Sequence, residues 1–219
     1  MGPFPDGVYR AQFPYYYRNP EGMPQEAALD YYLNSIKDVF EQCGPADSIA
    51  AIVVEPLQGE GGFIPAPIEW VKAVRKICDE NGILLVADEV QTGFCRTGRM
   101  FATQYWEEAG VQPDILATAK FIAAALKTIE IMERDDLAGC SCEIGEKVSK
   151  RFNEWKEKYP VIGDVRGLGG MIGLEFVKDQ KSKEPYPEFS AAVISGCAKK
   201  GLMIEGAGTY GNVIRFLAP

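Results

Sequence analysis

Hydrophobic positions along this chain alternate between short continuous runs and amphipathic stretches with a period near 3.6. Pro24 to Cys43 carries an apolar stripe of Leu29, Tyr32, Leu33, Ile36, Val39 and Phe40; proline opens it and Gly44 ends it, which predicts a helix. The run Ile49 to Val54 predicts a strand. A second helix is expected from about Pro67 to Glu80, with Ile68, Val71, Val74 and Cys78 on one face and Asn81-Gly82 as its stop. Two further apolar runs, Ile83 to Ala87 and Ile115 to Ala119, are bounded by turn signals and read as buried strands of a parallel sheet. Strand, helix, strand, short amphipathic segment, strand is α/β organisation with right-handed crossovers.

After Lys120 the pattern changes. Residues 121–155 read as mostly helical with a break near Ala138–Ser141; Leu126, Ile129 and Met132 form one stripe, and Ile144, Val148, Phe152 and Trp155 another. VIGDVRGLGGMIGLEFV reads as a turn followed by a strand, Met171 to Val177. A charged loop over 178–187, a helix over 188–200 and a strand Leu202 to Ile204 follow, and the chain closes with GAGTYGNVIRFLAP. This change predicts two domains, 1–125 and 126–219. Residues 1–23 lack either period but hold four tyrosines and two phenylalanines, so they are expected as an irregular segment lying against the body.

Composition narrows the class. Hydrophobic residues make up 47% of the 219, enough for a real core. A net charge of −8 argues against nucleic acid or an anionic membrane as partner. No apolar run approaches membrane-spanning length, and the first residues lack the features of a signal peptide. The six cysteines are scattered, and the Cys140-x-Cys142 pair has no second pair to complete a zinc site, so reduced thiols, no metal and a cytoplasmic location are expected. Histidine is absent, which excludes Ser-His-Asp and Cys-His catalysis within these residues. Acid–base work falls to lysine, carboxylate, tyrosine or cysteine.

The stretch Gly82 to Lys120 holds the candidate chemistry. Asp88 ends one predicted strand and Lys120 another, and α/β sheets place ligands beyond the carboxyl ends of their strands. Taken singly, the lysine reads as a strand cap and the aspartate as a turn or helix cap. Together they suit pyridoxal phosphate, which needs a Schiff-base amine and a carboxylate beside its protonated ring nitrogen. A nucleotide-binding reading of ILLVADE fails, because Arg99-Met100 stands where a phosphate loop requires Lys-Ser or Lys-Thr. GEGG at 59–62 is a weak phosphate signal and reads as a flexible loop, and DVRGLGG at 164–170 as a tight turn. Arg215, inside an apolar terminal strand, needs a carboxylate from protein or substrate.

IVVEPLQGEGG, ILLVADEVQTGFCRTGRMF, PDILATAK, VIGDVRGLGGMIGLEFV and GTYGNVIRF resemble, in order, the motifs of class III, pyridoxal-phosphate-dependent aminotransferases, most of all the 4-aminobutyrate branch. The resemblance implies a fold-type I α/β transferase like aspartate aminotransferase: part of a cofactor-binding large domain with a mostly parallel sheet, plus a C-terminal α/β small domain. It implies that Lys120 forms the Schiff base, Asp88 pairs with the pyridine nitrogen, Val90 packs on the ring and Gln91 bonds the phenolic oxygen, with Glu55 near Gln91. Glu60 and Arg215 match a switching pair, in which the arginine binds the α-carboxylate of glutamate or 2-oxoglutarate and the glutamate neutralises it for an ω-amine substrate.

The implied reaction moves an amino group from 4-aminobutyrate, or a similar ω-amino acid, to 2-oxoglutarate by a ping-pong cycle in a homodimer or dimer of dimers. Ornithine and acetylornithine aminotransferases, or a catalytically incomplete fragment, are the alternatives. The chain departs from the family in three places. It starts after the loop that holds the cofactor phosphate, it passes from TAKFIA directly into AALKTIEIMERDDL, and it stops inside the last motif. Cys95 also stands where the family commonly has glycine.

Overall fold

The computed structural model describes residues 6–119 and 122–217. Its first sheet has three parallel strands, β1 (Ala51–Val54), β4 (Leu84–Asp88) and β5 (Ile115–Ala117), with β4 in the middle. Helices α1 (Gln25–Gln42) and α2 (Ile68–Asn81) pack on one face. Trp70, Val71, Val74 and Cys78 of α2 and Ala28, Tyr32 and Ile36 of α1 meet Val54, Leu85 and Ala87 of the strands. Burying each large side chain contributes about 1.5–3 kcal/mol, so this layer is the principal core. Gly82, at φ 68, supplies the left-handed residue that ends α2 and turns the chain into β4. On the other face Val53, Leu84 and Ile115 are exposed, an open surface that parallel sheets usually cover. α3 (Gln104–Glu108) lies in the crossover to β5.

The stretch read as a flexible loop after β1 is instead a small antiparallel hairpin, β2 (Leu57–Gln58) with β3 (Ile64–Pro65). Its order has an apolar cause: Leu57 and Phe63 are fully buried and form a cluster with Met171.

The second sheet has four antiparallel strands in the order β6 (Ile162–Leu168), β7 (Met171–Phe176), β9 (Val213–Leu217), β8 (Glu205–Ala207). Three expectations change here. Residues 162–168, read as turn, form a strand paired to β7 through a bulge at Ile162/Asp164. The strand expected at Leu202–Ile204 lies at Glu205–Ala207. The helical break falls between α4 (Ile122–Arg134) and α5 (Leu137–Lys158), ahead of the predicted position, because Asp136 adopts a left-handed conformation (φ 46) and its side chain caps Gly139 N. α5 and α6 (Pro187–Lys199) flank this sheet, and Ile162, Leu174, Phe176 and Ile214 form its core.

Two features tie the sheets together. Gly169, in the β6–β7 turn, is wedged between α5 and the loop after β4: a Cβ on Gly145 would stand 1.9 Å from Gly169 O, and a Cβ on Gly169 would stand 2.3 Å from Thr97 C. Ser141 Oγ accepts from Gly170 N at 2.8 Å and donates to Arg96 O at 2.9 Å. The second tie is Glu175, buried in β7. It accepts from Tyr15 Oη, Arg18 and Arg166 (Nη1 at 2.7 Å), which joins the N-terminal segment to this sheet. Burial alone would raise the Glu175 pKa, but Arg166, Tyr15 and Arg18 outweigh it and hold the carboxyl below the usual glutamate range.

Candidate active site

The carboxyl ends of β1 and β4 bring three of the expected residues together. Glu55 follows β1 and accepts from Gly59 N at 2.9 Å. Asp88 is the last residue of β4, and its Oδ1 accepts from Val90 N at 3.0 Å. Burial pushes the Glu55 carboxyl up, the Gly59 N–H pulls it back, and the charges of Asp88 and Glu60 push it up again. The adjacent acid divides the labour. Glu89 is fully buried and accepts from Thr92 Oγ1 and from Thr103 N at 2.6 Å, so it staples the turn that follows the strand. In that turn Phe94 and Cys95 both have left-handed backbones, at φ 60 and 68. Cys95 therefore occupies a conformation that favours glycine.

Gln91 lies against Gly59: a Cβ on Gly59 would stand 1.5 Å from Gln91 Oε1. Only glycine permits this approach, a requirement the GEGG motif carries but does not reveal. Gln91 Oε1 is buried without a hydrogen-bond partner, while the side chain of Val90 is half exposed. Lys120 lies outside the described residues.

Glu60, at the tip of the β2–β3 hairpin, pairs with Arg215 Nη1. Its backbone is held as well, because Gly208 N donates to Glu60 O at 2.9 Å. Glu205 Oε2 also stands 2.7 Å from Arg215 Nη2, a contact the sequence reading misses. β8 places Glu205 directly opposite Arg215 of β9, and only the strand register shows it. The guanidinium is 13% exposed, and both carboxylates are largely in solvent.

The profile of the Aminotransferase class-III family matches residues 1–126 and 121–219. The chain belongs to the class-III aminotransferases. The two matches overlap over residues 121–126, at the end of TAKFIA, where part of the family pattern is missing from the sequence. This class-III chain is 37% identical to a probable 4-aminobutyrate aminotransferase of Bacillus subtilis, over all of the chain and 58% of that protein. It is 38% identical to a 5-aminovalerate aminotransferase of Pseudomonas putida, over all of the chain and 57% of that protein. Both alignments run over 254 positions, against 219 residues in the chain. Its fold matches the omega transaminase of Pseudomonas jessenii, solved in complex with PMP, at a TM-score of 0.86 and 25% identity over 98% of this chain and 56% of that one. The chain thus spans a little over half the length of the relatives it matches, and its fold is that of the fold-type I transferases.

The family implies pyridoxal phosphate, and the residues present fit it. An incompletely bonded buried amide at Gln91, whose NH2 group can donate to a phenolic oxygen, a half-exposed apolar Val90 and a carboxylate at the end of the central strand suit a planar, polar-edged ring. Among the described residues no helix is long and apolar enough to cross a membrane.

Proposed function

We propose that the protein is a pyridoxal-phosphate-dependent aminotransferase that moves an amino group from 4-aminobutyrate, or a similar ω-amino acid, to 2-oxoglutarate in a ping-pong cycle. The observation that carries this reading is the gathering of Glu55, Asp88 and Gln91 at the ends of β1 and β4 in a chain of this family. Relatives named as 4-aminobutyrate and 5-aminovalerate aminotransferases support the ω-amino donor.

In this reading the bound cofactor supplies an electron sink that acidifies a C–H bond beside the substrate nitrogen. Lys120 anchors the cofactor and carries the proton between its two positions. Asp88 pairs with the protonated ring nitrogen, Gln91 bonds the phenolic oxygen from a position fixed by Gly59, and Glu55 braces that amide. Val90 packs on the ring. Arg215 receives the α-carboxylate of the dicarboxylic substrate, and Glu60 neutralises the arginine when the donor enters.

The division into a large domain, 1–125, and a small domain, 126–219, belongs to the same reading, as does a homodimer or dimer of dimers. All six cysteines are free thiols, which suits a reducing compartment such as the cytoplasm.

Adding pyridoxal phosphate and recording the visible spectrum tests the reading. A protein-bound cofactor band that disappears in Lys120→Ala, with glutamate formed from 4-aminobutyrate and 2-oxoglutarate, is the expected result. No band at saturating cofactor overturns it in favour of a catalytically incomplete fragment.

A further inference from the structure

Arg215 has a second counter-ion that a two-residue switch does not need. Glu60 reaches Nη1 from a separate hairpin, whereas Glu205 reaches Nη2 from the neighbouring strand, fixed opposite Arg215 by the β8–β9 register. Burial alone would lower the Arg215 pKa, but the hydrogen bonds and charges of both glutamates outweigh it and raise it above the usual arginine value. Nε is buried with no acceptor. The guanidinium therefore holds one carboxylate on each terminal nitrogen, while its buried Nε–H stays without an acceptor.

We propose that Glu205 is a specificity-determining positioning residue. When the Glu60 side chain leaves, Glu205 keeps Arg215 neutralised and one Nη2 hydrogen engaged. This inference rests on the reading of Arg215 as the receptor for a substrate carboxylate. With Glu60 as sole partner, its departure would bare a full cation with both terminal nitrogens open to a two-point contact. With Glu205 in place, an arriving carboxylate meets a neutral pair and must share Nη2 or settle for one contact at Nη1. The dicarboxylic substrate loses affinity, while a donor that needs no help from Arg215 keeps its own. The site thereby leans toward the ω-amino acid half of the cycle.

Glutarate, an unreactive dicarboxylate, serves as probe. Calorimetric titration of the full chain and of Glu205→Gln, Glu60→Gln and Arg215→Gln should show glutarate binding lost in Arg215→Gln. Binding should be roughly fivefold tighter in Glu205→Gln than in the wild type, a size set by a partly solvated charge pair. Nitrogen-15 NMR of the free proteins supplies a ligand-independent readout: the Arg215 guanidinium should rotate faster in Glu205→Gln. Equal Arg215-dependent affinities in wild type and Glu205→Gln, or equal rotation rates, overturn the inference. Glutarate binding that ignores Arg215 in every variant overturns the carboxylate-receptor reading and the inference with it, and the rotation rates still report whether the ion pair exists.

Discussion

Gly145 and Gly169 touch through backbone: a methyl group added to Gly145 would stand 1.9 Å from the Gly169 carbonyl oxygen. Alanine at a helix interior is ordinarily worth about 0.5–1 kcal/mol over glycine. Here the clash wins, because the obstacle is main chain held between α5 and Thr97 and cannot rotate aside. Gly145→Ala is expected to destabilise the protein by about 2 kcal/mol, an overpacking cost, read as a lower urea midpoint.

Glu175 sets part of the acid stability. Its folded pKa is depressed below the ordinary glutamate value of about 4.5, so the unfolded chain takes up the proton more readily. The stabilisation is complete above about pH 4.5 and is lost as pH falls toward the folded value. Glu175→Gln should flatten the decline of unfolding free energy below that pH. It should also cost about 3 kcal/mol at pH 7, since Arg18 and Arg166 lose a buried counter-ion. An unchanged acid limb would remove Glu175 from this role.

Gly59→Ala would push the Gln91 amide out of its place. A displacement of about 1 Å at a reacting centre costs on the order of 100-fold in rate, so kcat/KM for transamination should fall by that amount. The far-UV circular dichroism spectrum should stay the same, because the obstructing atoms belong to a side chain that can move.

Asp136 combines a left-handed backbone with a helix cap. Asp136→Ala loses the cap, about 1 kcal/mol, and adds a left-handed alanine, about 1 kcal/mol more. Asp136→Asn keeps both features and should change stability by under about 0.5 kcal/mol. Urea denaturation of the two variants distinguishes them.

Periodicity predicts α1, α2 and the parallel strands, because each is long or apolar enough to carry a pattern of its own. It misses β2 and β3, whose two-residue strands are ordered by burying Leu57 and Phe63 against Met171 from the distant strand β7. It misses β6, where glycines punctuate the alternation and pairing with β7 decides the outcome. The α4–α5 break depends on the backbone angle of Asp136, which apolar spacing does not encode. In the candidate site, Asp88 is legible as a strand end, and motif resemblance points to Glu60 and Arg215. Glu205 is legible to neither, since its relation to Arg215 exists only once β8 and β9 are in register.

In the proposed switch, the hydrogen bond from Gly208 N to Glu60 O leaves the Glu60 side chain as the part that moves when the arginine changes partners. With its main chain tied to the β8–β9 connection, Glu60 can release Arg215 by turning its exposed side chain alone. Such rotamer changes take picoseconds to nanoseconds, whereas collective domain hinging takes microseconds to milliseconds. On the proposed reading, the change of partner at Arg215 would need one ion pair to break and one side chain to turn, with no domain movement.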